Sequence, residues 1–200
     1  EDAGESVVIT VQSVDGSSTS AATSKFTLQP LAPGSYTLVS TENLDYETKN
    51  QHTIIFLATD SSSGKLTSTM EVVLNVLDAN DQPNLDAGTC AISKNAIALA
   101  PVCTITAQDD DSTKNAFGTI TYSIVTSASS CKYSDSNVCS LTVDKIFKID
   151  ANTGVLSLLS KLEAVYEGAT VTVNVKAIDG GGLFDSANFV VTISPENDPP

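Results

Sequence analysis

The sequence predicts an all-β protein made of antiparallel sandwiches. Period-two alternation of β-branched residues recurs along the whole chain. It is clearest in TVTVNVKAID (170–179), where Val171, Val173, Val175 and Ala177 alternate with Thr170, Thr172, Asn174 and Lys176. Sustained helical patterns are nearly absent. The strand-like runs also recur in the same order in the two halves of the chain, which points to a duplicated domain of about 100 residues.

The elements follow in order. VVITVQSV (7–14) is a half-buried strand, followed by KFTL (25–28) and YTLVS (36–40). LDYE (44–47) precedes HTIIFLATD (52–60), and TMEVVLNV (69–76) runs into LDANDQP (77–83). In the second half GTITYSIV (118–125) and IFKID (146–150) come first, then TGVLSL (153–158) and KLEAVYE (161–167). VKAID (175–179), NFVVTIS (188–194) and SPEND (194–198) complete the series. Asp60 and Asp179 are equivalent, as are Asp81 and Asp198. The boundary falls at LDANDQP, giving domains 1–82 and 83–200.

Composition bounds the function. Hydrophobic residues make up 41% and charged residues 17% of the 200-residue chain, as in a globular protein. No apolar run reaches the roughly 18 residues that cross a bilayer. The opening EDAGESVV has no signal-peptide character, so the chain is expected to be a mature or excised segment with any anchor outside it. With 24 acidic and 10 basic residues the net charge is −14, which argues against nucleic acid and anionic membrane as partners. No small-molecule substrate is indicated. No nucleophile or acid–base constellation occurs, so the protein is not read as an enzyme.

Four cysteines, Cys90, Cys103, Cys131 and Cys139, lie in the second half, without a CxxC pair and with a single histidine, His52. That excludes an ordinary zinc site. Three pairings are open; the favoured one joins neighbours, Cys90–Cys103 and Cys131–Cys139. Disulfides place the chain in an oxidising, extracellular compartment. There is no N-glycosylation sequon.

LDANDQP raises a choice between an Asx turn and a hard-cation site, because Asp78, Asn80 and Asp81 put three oxygen-bearing side chains in four residues. The surrounding motifs decide it. LDYE (44–47), AxD at 58–60, DxNDxP at 78–83, AQDDD (107–111) and FKIDANTGVL (147–156) stand in one register. This set resembles the extracellular cadherin repeat across nearly the whole chain. The resemblance implies tandem Greek-key, immunoglobulin-like β-sandwiches of seven strands with calcium held between successive domains.

It also implies the ligands. Asp45, Glu47, Asp78, Asn80 and Asp81 would come from the first domain and its linker, with backbone carbonyls of Ala79 and Gln82. Asp109, Asp111, the backbone of Asn115, and Asp179 would come from the second. Up to three Ca2+ ions are expected there. Seven carboxylates in one junction repel one another strongly, and bound cations turn that repulsion into cross-links. The linker is therefore expected to be flexible without calcium and stiff with it, at affinities of roughly 10⁻⁴–10⁻³ M.

Other residues are read more plainly. Asp110 faces solvent, Asp150 caps a hairpin turn, and His52 is a surface residue. AQDDDS lacks the Gly and terminal Glu of an EF-hand. Two departures from the repeat matter. Only 43 residues precede LDYE, whereas 78 separate Pro83 from Leu162, so the first domain is expected to lack its first two strands and one glutamate ligand. An ion held by Asn80, Asp109, Asp111 and Asp179 should survive best. At the far end Lys94 takes the place of that glutamate, LDxE becomes LEAVYE, and Pro195 replaces the linker's first Asp, leaving Asn197 and Asp198. Weak calcium binding and a freer joint are expected there. An insertion, 127–145, is expected to be a surface loop closed by Cys131–Cys139.

The function these residues imply is calcium-dependent adhesion or cell–cell linkage in a long ectodomain. Partners would be neighbouring cadherin-like domains and a homophilic or heterophilic extracellular protein. The rival is a spacer in an extracellular fibre or surface coat. The chain has no Trp, so the tryptophan-swap mode of classical cadherins has no residue to use.

Overall fold

A computed structural model describes residues 6–32, 35–111, 116–133, 135, 137–139 and 142–195. The chain divides into two units, Glu1–Ala79 and Asn80–Pro200. Strands dominate both, as the alternating sequence requires. No helix among the described residues is long and apolar enough to cross a membrane.

Unit 1 has two sheets. β1 (Val7–Val14), β4 (Gln51–Asp60) and β5 (Thr67–Asn75) form one, in the order β1-β4-β5 with antiparallel pairing. β2 (Phe26–Ala32) and β3 (Ser35–Ser40) form the other, and the single-turn α1 (Ser20–Thr23) leads into it. Val14, Phe26, Ile54 and Phe56 are buried between them, with Ile9, Val11, Leu28, Leu38, Val72 and Leu74 half-buried around these. The register pairs Val7 with Asp60 and Phe56 with Met70, which puts Val7 and Met70 on the core-facing side. Both stay more than half exposed, at 56% and 60%. Among the described residues the covering sheet has only two strands, and it does not reach them.

His52 is not the surface residue expected. Alternation along β4 puts it on the same face as Ile54 and Phe56, and it is buried. The Phe26 ring meets it edge-on at 5.6 Å. Its Nδ1 lies 2.8 Å from Asp15 Oδ2. Asp15 sits at φ 54 beside Gly16 at φ 78 in a two-residue turn closed by mutual Val14–Ser17 backbone bonds. The carboxylate also accepts from Thr53 N–H (2.9 Å) and pairs with Lys49 (2.7 Å). Burial pushes the Asp15 pKa up, but Lys49, the Thr53 N–H and His52 outweigh it and bring it down to about 2. Sequence reasoning missed this because Asp15 and His52 are 37 residues apart.

Unit 2 has two sheets among the described residues. β6 (Gly88–Ser93), β7 (Pro101–Thr104), β8 (Thr121–Ile124) and β9 (Ser130–Lys132) come first. The short α2 (Val143–Ile146) precedes β10 (Phe147–Ile149), β11 (Val155–Leu158), β12 (Thr170–Ile178) and β13 (Phe184–Ser194). One sheet runs β6-β13-β12-β8 with β9 also on β12; the other runs β10-β11-β7. β6 pairs parallel with β13, and the remaining pairs are antiparallel. This is the expected all-β Greek-key arrangement. Val171, Val173, Val175 and Ala177 are fully buried, as the period-two pattern requires.

The Cys90–Cys103 and Cys131–Cys139 bonds form as expected. The first joins β6 in one sheet to β7 in the other. The insertion, however, is more than a surface loop. Its Ser130–Lys132 segment extends the sheet along β12, and Cys131, Cys139 and Val143 are core residues. Asp150 caps its turn as expected, its Oδ1 accepting from Asn152 N–H, Thr153 N–H and Thr153 Oγ1 at 3.1, 2.9 and 2.9 Å.

Candidate metal centre

One end of unit 2 gathers oxygen donors from three separated segments. β12 ends at Asp179, and the following turn folds back so that Gly182 and Leu183 N–H donate to Asp179 Oδ1, the latter at 2.9 Å. Asn80 packs against that turn. Its Nδ2 donates to Asp179 Oδ2 at 3.0 Å. A Cβ at Gly181 would overlap the Asn80 side chain, so this position must be glycine for the two to meet.

The linker is held along its length. Asn84 and Gln108 exchange backbone bonds of 2.7 and 2.9 Å. Leu85 N–H donates to Asp185 Oδ2 at 2.9 Å, and Gln82 Nε2 donates to Phe184 O at 2.9 Å. The bridge aligns the linker with the segment that carries Asp109 and Asp111. Asp81 N–H donates to Asp111 Oδ2 at 2.9 Å, and Asp111 N–H donates to Asp109 Oδ1 at 3.0 Å.

These bonds leave three side-chain oxygens over. Asn80 Oδ1, Asp109 Oδ2 and Asp111 Oδ1 are buried and meet no protein donor. Unsatisfied buried acceptors are costly and rare. Asp111 is 4% exposed and Asp179 5%. Burial, followed by repulsion from Asp111 and Asp179, raises the Asp109 pKa against the opposing Asp111 N–H bond. Buried carboxylates whose hydrogen bonds among the described residues come from amide N–H groups, with lone pairs left over, suit a hard divalent cation. The donor set is all oxygen, which is the chemistry of calcium rather than of zinc.

The remaining predicted residues are placed as follows. In unit 1, Asp45 and Glu47 are exposed and share one turn after the half-buried Leu44; both Asp45 oxygens accept from Thr48, from N–H at 3.0 Å and Oγ1 at 2.6 Å. The Thr48 hydroxyl and N–H lower the Asp45 pKa. Asp78, half-buried, and Ala79, exposed, follow β5. Asn115 lies outside the described residues. Sequence reasoning missed Gly181 and Asp185, which position Asn80 and the linker. Neither carries a local signal: Asp185 holds Leu85 across 100 residues.

Comparison with known proteins adds the family. No family model matches the chain. Human protocadherin gamma-B6 is 29% identical over 169 residues, which is 82% of this chain and 17% of that protein. Protocadherin Fat 2 of Rattus norvegicus is 32% identical over 170 residues, 82% of this chain and 4% of that protein. The chain thus spans less than a fifth of these relatives. Among solved structures, Protocadherin Gamma B2 extracellular cadherin domains 3-6 superposes with a TM-score of 0.72 at 20% identity, covering 96% of this chain and 42% of that one. Mouse Cadherin-23 EC22-24 gives 0.67 at 20% identity, covering 95% and 53%. These structural likenesses concern the fold. Together with the sequence relatives and the strand order above, they lead to one conclusion: the chain belongs to the cadherin superfamily, as an extracellular segment of tandem cadherin repeats.

Proposed function

We propose that this chain is part of a calcium-stiffened adhesive or cell-linking ectodomain. The single observation that carries the calcium reading is the set of buried, donor-free oxygens on Asn80, Asp109 and Asp111. Asp179, buried beside them and held by the Gly182, Leu183 and Asn80 N–H groups, is the remaining unit 2 carboxylate of the proposed site. On the sequence reading, Asp45, Glu47 and Asp78, the carbonyls of Ala79 and Gln82, and the backbone of Asn115 complete the coordination of up to three ions. The ions supply charge neutralisation and cross-linking. The protein's own part is to hold Asp179 by the Gly182 and Leu183 amides and Asp111 by the Asp81 amide, which leaves Asp111 Oδ1 without a donor.

The domain reading accompanies it: 1–82 as a cadherin-like domain without its first two strands, and 83–200 as a full one. The partly exposed Val7 and Met70 on the core side of unit 1 support that reading. The role is one of binding and linkage rather than catalysis, with neighbouring repeats and an extracellular protein as partners. Calcium-dependent aggregation of beads coated with the chain tests adhesion. Aggregation that is absent with calcium present would leave the spacer role in its place.

Calorimetric titration with Ca2+ tests the metal reading. Binding near millimolar, abolished by Asp111→Asn, is expected; binding indifferent to Asp111→Asn overturns it.

A further inference from the structure

Unit 2 has a second acidic end, and there the cation is already part of the chain. Glu167 precedes β12 and Asp179 follows it, so nine strand residues, roughly 30 Å, separate the two ends. Glu167 is the repeat counterpart of Glu47, as Leu162 is of Leu44. Lys94, just after β6, places its Nζ 2.8 Å from Glu167 Oε2. The Lys94 side chain is only 13% exposed. Lys94 N–H donates to Ser194 O at 3.1 Å, and Gly168 N–H donates to Ile193 O at 2.9 Å. Both partners of the ion pair are therefore clamped to the last residues of β13, and their meeting is built in rather than incidental.

We propose that the Lys94 ammonium serves as a tethered structural cation that occupies the Glu167 carboxylate and makes this end of the sandwich indifferent to calcium. This rests on the calcium reading of the Asn80–Asp179 end. A nearly buried ammonium is tolerated only beside a carboxylate, so the pair is held together by the desolvation cost of separating it. An incoming divalent ion would have to displace a charge whose effective concentration is set by its own backbone, and would meet that charge as a like-signed neighbour. The loop bearing Glu167 is fixed to β6 and β13 with or without calcium.

Amide hydrogen exchange on the complete 200-residue chain, with 5 mM Ca2+ or with chelator, reads both ends at once. Protection at Asp81 and Leu183 should rise at least tenfold with calcium, while Gly168 and Lys94 should stay within a factor of two. A calcium-dependent rise at Gly168 overturns this inference. No rise at Asp81 or Leu183 overturns the calcium reading and leaves the Gly168 result to be judged separately. Lys94→Gln should drop Gly168 protection at least tenfold in chelator and make it respond to calcium, while Lys94→Arg should preserve it. Unchanged Gly168 protection in a Lys94→Gln chain that keeps its strand circular dichroism also overturns the inference. Should Lys94→Gln fail to fold, Glu167→Gln supplies the same test from the other partner.

Discussion

Asp111 accepts the backbone N–H of Asp81 at 2.9 Å through one carboxylate oxygen, while its other oxygen is buried without a donor. The first contact pins the linker to unit 2 across 30 residues. The second leaves a negative lone pair that protein alone does not satisfy. Stability of this end should therefore depend on a cation.

Calcium should stabilise unit 2. For dissociation constants of 10⁻⁴–10⁻³ M and calcium at about 1 mM, mass action gives about 0.4–1.4 kcal/mol per site. That corresponds to a rise of a few degrees in Tm. Asp111→Asn and Asp179→Asn should each remove most of this rise in a thermal melt with and without chelator. An unchanged increment would show that these carboxylates hold no metal.

Gly181→Ala should damage the same site by geometry alone. The added methyl overlaps the Asn80 side chain, so Asn80 must leave Asp179 or the turn must open. Calcium affinity should fall at least tenfold without any change in charge. Titration of the variant checks it, with Gly182→Ala as a comparison, since a Cβ there meets nothing within 4 Å and only the φ of +97 is strained.

Acid should weaken unit 1 through Asp15. Its folded pKa of about 2 lies below the ordinary 3.8, so the ionised form is the one that folding favours. The contribution is fully present above pH 4 and is lost as pH falls through about 2, an order of 2 kcal/mol at most. Asp15→Ala should remove that pH dependence and also strip the buried His52 of its Asp15 contact, costing about 1–3 kcal/mol. Melts between pH 2 and 6 distinguish the two proteins.

Reduction should touch only unit 2, because all four cysteines lie there. The Cys90–Cys103 bond closes a loop of 13 residues and joins the two sheets, for which chain-entropy reasoning gives about 3 kcal/mol. A Cys90→Ser/Cys103→Ser pair, or dithiothreitol, should lower the unit 2 transition and leave that of unit 1 in place. A shift in unit 1 would contradict the division of the chain.

The strand segments, the two-fold repeat and the acidic motifs are local or repeating features, and the residues alone determined them, while the cysteines favoured one of three open pairings. TVTVNVKAID carries its buried face in its own alternation, and DAND puts three oxygen-bearing side chains within four residues. Three things were decided only by tertiary structure: the Asp15–His52 contact, the strand contributed by Ser130–Lys132, and the Lys94–Glu167 pair. Each depends on which side chains meet across 37, about 40 and 73 residues respectively. Periodicity states which face a residue is on; it says nothing about which partner will be waiting there. For a charge inside a protein the partner settles the outcome, since burial costs both Lys94 and Asp111 their hydration and the neighbour determines whether that loss is made good.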